Sequence, residues 1–75
     1  IIELLKILLK YKSETFGVAP RLIASTNDLE NLSLGKNNNL NCLKGWRLEI
    51  FGKDALEICS GKKAIKIEKG KLIIF

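Results

Sequence analysis

The sequence predicts a small α+β domain, three to four helices followed by a C-terminal two-stranded β-hairpin. Three observations carry this reading. Apolar residues recur at helical spacing through the first sixty or so positions, punctuated by Gly and Pro. After Gly61 the pattern becomes short, β-branched and alternating. A chain of 75 residues, 47% hydrophobic and 28% charged, is large enough for one core and too small for two.

The first helix is expected over residues 1–16. Apolar positions 1, 4, 5, 8 and 2, 9, 16 make a wide stripe, with Glu3, Lys6 and Lys10 on the polar side. Gly17 suits a left-handed C-cap, and Pro20 holds Ala19 extended. Residues 18–24 then read as an irregular or one-turn segment that seats Leu22 and Ile23 on the core. A second helix is expected over residues 26–34. Ser25 and Asp28 have the spacing of a capping box, Leu29 and Leu32 form its apolar face, and Gly35 closes it. The polar run Lys36-Asn37-Asn38-Asn39 reads as a solvated connection with no apolar anchor before Leu40.

A third helical region is expected over residues 42–60. One stripe runs Leu43, Trp46, Ile50 and another Leu48, Phe51, Ala55, Ile58, Cys59. Gly52 lies between them, at a cost of about 1 kcal/mol relative to Ala in a helix interior, and so marks a break or a close backbone approach. The hairpin follows over residues 63–75, with Glu68-Lys69-Gly70 as its connection. Alternation puts Ile65 and Ile67 on one face and Ala64, Lys66 and Glu68 on the other. A two-stranded hairpin is marginal alone, so its apolar face must pack on the helices.

The residue inventory argues against catalysis by this chain alone. It has no histidine, which removes the His-dependent serine and cysteine triads. Gly35-Lys36, Gly52-Lys53 and Gly61-Lys62 lack the rest of a phosphate loop. The eight acids are scattered, whereas a two-metal site needs several carboxylates converging from different elements. Cys42 and Cys59 form no CxxC pair, and two thiols without histidine make a poor zinc site. Cys59, at apolar spacing, is expected to be a buried free thiol, consistent with a reducing cytoplasm. No cofactor is expected in this chain. No apolar run is long enough to span a membrane, so no membrane partner is expected. The chain contains no methionine and begins inside an apolar helix, as a C-terminal piece of a longer protein would.

Binding remains. Thirteen Lys and Arg against eight Asp and Glu leave a net charge of +5. Lys44, Arg47 and Lys53 surround the single tryptophan, while Lys62, Lys63 and Lys66 lead into and occupy the hairpin. These six are the candidate phosphate contacts. The plain alternative is a purely structural or protein-interaction module with no nucleic-acid contact of its own, in which the hairpin lysines only keep an edge strand soluble. Trp46 is a candidate to stack on a base. Its spacing with Leu43 and Ile50 instead favours burial.

The segments Leu4-Leu5-Lys6-Ile7-Leu8-Leu9-Lys10, Gly17-Val18-Ala19-Pro20-Arg21-Leu22-Ile23-Ala24-Ser25, Asp28-Leu29-Glu30 and Gly45-Trp46-Arg47-Leu48-Glu49-Ile50-Phe51-Gly52-Lys53-Asp54-Ala55-Leu56 resemble the C-terminal end of bacterial ribonuclease D, in its alphaproteobacterial form. In that family this region is a divergent second HRDC domain, a helical module shared with RecQ-type helicases. The resemblance implies an HRDC-like accessory domain of a cytoplasmic, metal-dependent 3′→5′ exoribonuclease that acts on RNA 3′ ends such as tRNA precursors. It places the divalent metal and the catalytic carboxylates and tyrosine upstream, and implies RNA and the catalytic domain as partners. The chain departs from the usual HRDC pattern at its end, where strands replace helices, and at the reduced turn Lys44-Gly45-Trp46.

Overall fold

The computed structural model describes residues 1–75 and shows the α+β architecture. Helix α1 spans Ile2–Phe16 and ends at Gly17, whose φ of 67° is left-handed and whose N–H donates to the Ser13 carbonyl. Ala19 is extended (φ −59°, ψ 136°) and Pro20 takes the first position of the one-turn helix α2, Pro20–Ile23. Helix α3, Thr26–Ser33, opens with the complete capping box. The Asp28 N–H donates to Ser25 Oγ at 3.1 Å, and the Ser25 N–H donates to Asp28 Oδ2 at 3.3 Å. The asparagine run is exposed, and Leu40 beyond it is buried.

The expected helix over residues 42–60 is divided. Asn41–Leu43 form a 3₁₀ turn, after which Lys44 is extended and Gly45 has φ +57°. Glycine adopts that angle without steric cost, and this lets the chain reverse before the helix proper begins. From there the chain is helical through α4 (Gly45–Arg47), a π turn (Leu48–Gly52) and α5 (Lys53–Cys59). The Lys53 N–H donates to the Leu48 carbonyl five residues back.

This π turn resolves the two out-of-phase stripes. Each helical residue advances the chain by about 100°, so one extra residue sets back everything after it by that angle. Ala55, Ile58 and Cys59 thereby come round to the side of Ile50, and all four lie in or against the core. Gly52 closes the turn and is buried. A Cβ there would overlap the Cys42 carbonyl oxygen and approach Leu43 Cδ2 to 2.9 Å, so the glycine marks a close approach of two backbones.

The core comprises Leu5, Leu8 and Leu9 from α1, Ile23 and Ala24, Leu29 and Leu32 from α3, Leu40 and Cys42, and Phe51 and Ala55. Full burial of each large apolar side chain stabilises the fold by about 1.5–3 kcal/mol. Several sequence expectations are corrected. The wide stripe of α1 is only partly buried, because the other elements cover one side. Ile1, Leu4, Ile7, Tyr11 and Phe16 remain exposed. Leu22 faces solvent rather than the core, since one helical turn can aim only one of two adjacent residues inward, and Ile23 is that residue. Cys59 is half-buried, and the fully buried thiol is Cys42.

Strands β1 (Ile65–Glu68) and β2 (Lys71–Ile74) pair antiparallel in the register Ile65↔Ile74, Lys66↔Ile73, Ile67↔Leu72, Glu68↔Lys71. Two further bonds join Ala64 and Phe75 at 2.7 and 2.9 Å. Only the base of the hairpin, Ile65 and Ile74, seats on the core. Ile67, expected on the packed face, projects beyond the helices and is exposed.

Candidate nucleic-acid interface

Two groups of cations were expected, one around Trp46 and one on the hairpin. The first is built by the turn at Gly45. Because the helix starts there, Trp46 sits in its first turn on the outer side, 45% exposed, and the expectation of burial is overturned. Leu43 and Ile50, its stripe partners, do pack against the core. The Gly45 reversal separates Leu43 from the helix, so the spacing 43, 46, 50 does not define one face.

Arg47 lies over the indole, its guanidinium carbon 4.5 Å from the ring centroid. Its Nε donates to the Leu22 carbonyl at 2.7 Å. That carbonyl belongs to the last turn of α2, where no intrahelical N–H is available to it. Arg47 is thus fixed at two points and has no carboxylate within ion-pair distance. Lys44 and Lys53 are exposed and equally free of acidic partners, Lys44 just before α4 and Lys53 at the start of α5. Arg21 and Leu22, both exposed, join this surface through the Arg47 bond. Nothing in the sequence signalled them, because the contact spans 25 residues.

The hairpin group is more encumbered. Lys63 Nζ lies 3.5 Å from Asp54 Oδ1 and 3.6 Å from Glu57 Oε1. Lys66 pairs with Glu68 at 3.0 Å and lies 5.3 Å from the Phe75 ring centroid. Lys62 is exposed without an acidic partner. The six candidates therefore divide into Lys44, Arg47, Lys53 and Lys62, whose charges face no carboxylate, and Lys63 and Lys66, which are already engaged.

Asp54 is the one strongly organised acid. Its Oδ2 is 2.6 Å from Lys12 Nζ, with both side chains largely covered. Burial alone would push its carboxyl up, but the hydrogen bond and charge of Lys12, with Lys63 adding to both, hold it below the ordinary value of 3.8. No group of three or more His, Cys, Asp or Glu side chains is placed to hold a metal ion. Burial, with the negative charge of Asp28 adding to it, pushes the Cys42 thiol up to about 11; burial also raises Cys59. Both thiols are free, and no helix is long and apolar enough to cross a membrane.

Fold and surface together define a small basic α+β domain carrying an exposed Trp–Arg pair. The chain is similar over almost its whole length to a segment of ribonuclease D, as the sequence resemblance led us to expect. It is 44% identical over 72 residues to ribonuclease D of Zymomonas mobilis, covering 96% of this chain and 18% of that protein. It is 42% identical over 72 residues to the ribonuclease D of Sphingobium indicum and to that of Nitrobacter hamburgensis, covering 96% of this chain and 19% of each. The chain thus spans less than a fifth of the length of the curated relatives it matches. No protein-family model and no solved structure matches it.

Proposed function

We propose that this chain is an HRDC-like, C-terminal accessory domain of a cytoplasmic ribonuclease D-like 3′→5′ exoribonuclease, positioning RNA 3′ ends such as those of tRNA precursors. The catalytic carboxylates and their divalent metal then belong to an upstream domain. The observation that carries this reading is the 40–45% identity to ribonuclease D sequences. The excess of positive charge supports it, because Lys44, Arg47, Lys53 and Lys62 can neutralise phosphates without first breaking an ion pair.

The test is binding of labelled single-stranded and tRNA-like RNA to the 75-residue chain across a salt series. Affinity should fall steeply with salt. Replacing Lys44, Lys53 and Lys62 with Gln should lower the log–log slope by about 0.7 per lysine engaged on a single strand. Absence of binding at about 50 mM salt would overturn the reading.

A second reading rests on a different observation. Ile7 and Tyr11 on α1 face Ile67 and Leu72 across an open groove of about 830 Å³, and Leu4 extends the exposed stripe along α1. Such a face suits docking on the remaining four-fifths of a ribonuclease D chain, with the lysines serving solubility alone.

A further inference from the structure

An exposed tryptophan beneath a guanidinium held in place by the backbone has no role in the core. Trp46 is 45% exposed, Arg47 covers it at 4.5 Å, and the bond to the Leu22 carbonyl keeps Arg47 from swinging away. The remaining guanidinium donors make no hydrogen bond or ion pair within the chain. Arg21, next in the chain to Leu22, and Lys44, two residues before Trp46, are exposed cations with no acidic partner. From this we infer that Trp46 and Arg47 form a stacking site for an unpaired nucleobase of single-stranded RNA, with Lys44 and Arg21 taking the adjoining phosphates.

The chemistry selects a nucleic acid over a protein. A base can present its flat π surface to the part of the indole that Arg47 leaves exposed, and each nucleotide carries a phosphate for the neighbouring cations. A protein partner would need both an apolar pocket for the ring and acids matched to three separate cations. A duplex keeps its bases stacked on one another, so the site favours single strands and frayed 3′ ends. The inference rests on the RNA-positioning reading and adds to it a base contact that phosphate binding alone does not require.

Trp46 is the only tryptophan, so its fluorescence reports the contact directly. The 75-residue chain is titrated with a 12-nucleotide oligoadenylate and with an abasic oligonucleotide of equal length and charge, at low salt. The intact oligomer should quench Trp46 along the binding isotherm. The abasic one should bind more weakly and leave the fluorescence unchanged. Trp46→Ala should weaken binding of oligoadenylate about 5- to 150-fold, in line with the usual contribution of a stacked base, and Trp46→Phe should retain most of the affinity. Trp46 lies outside the core, so both variants keep the fold, which far-UV circular dichroism checks. Salt-dependent binding with no quenching, and equal affinity for wild type and Trp46→Ala, would overturn the stacking site while leaving RNA binding in place. No binding of either oligonucleotide would overturn the functional reading and the stacking site with it. Unchanged RNA affinity in Trp46→Ala, with weakened association to the rest of a ribonuclease D chain, would reassign the tryptophan to a protein contact.

Discussion

At Gly52 the backbone of the π turn runs against the Cys42 carbonyl, and no side chain can be accommodated between them. In an ordinary helix interior Gly→Ala stabilises by about 1 kcal/mol. Here the sign reverses. Gly52→Ala should destabilise by about 1–3 kcal/mol, because the obstruction is a backbone oxygen that moves only with its whole turn. Urea unfolding of the two proteins measures this, and a midpoint equal to or above wild type would show that the turn relaxes. The local sequence marks Gly52 as a break or a close approach. It cannot choose between them, since Cys42 becomes a neighbour only once the chain has turned back at Gly45. Trp46 shows the same limitation: its spacing to Leu43 and Ile50 is that of a core residue, yet one left-handed glycine turns it to the surface.

Among the elements, the β-hairpin has the weakest local support. Its two connecting residues, Lys69 and Gly70, both have positive φ, 51° and 76°, which is the type I′ geometry that matches strand twist. Gly70 adopts this without strain, whereas lysine does so at a cost that asparagine largely avoids. Lys69→Asn should therefore stabilise the chain by up to about 1 kcal/mol, read as a higher thermal midpoint with unchanged far-UV circular dichroism. A lower midpoint would mean that the lysine contributes something beyond the turn. By contrast α3 was legible in full. Its capping box and apolar pair lie within eight consecutive residues, and local rules suffice for such a segment.

Across the whole molecule, Asp54 ties the first helix to the last elements, with Lys12 on α1 and Lys63 on the approach to β1. Its carboxyl titrates below its ordinary value in the folded chain. The stabilisation it gives is therefore complete above the unfolded value and is lost as pH falls through the lower folded one. Stability should fall below about pH 4, and the gap between wild type and Asp54→Asn should close over the same range. Denaturant unfolding from pH 7 to pH 2.5 tests this, and a gap that persists at the acid end would contradict it. Removing one member of so covered a pair leaves a charge without its partner, so Asp54→Asn should also lower stability at neutral pH.

The sequence by itself determined the α+β class, the α1 terminus at Gly17 and Pro20, the α3 cap, the hairpin and the likeness to ribonuclease D. Each of these rests on neighbours a few positions apart or on an uninterrupted run of residues. The tertiary structure alone decided the extra residue of the π turn, the exposure of Trp46 and Leu22, the Arg47–Leu22 bond and the Lys12–Asp54 pair. It also divided the candidate cations into those that face carboxylates and those that do not. These features join segments distant along the chain. Whether an apolar or charged side chain is covered depends on what folds back onto it, and no local periodicity records that.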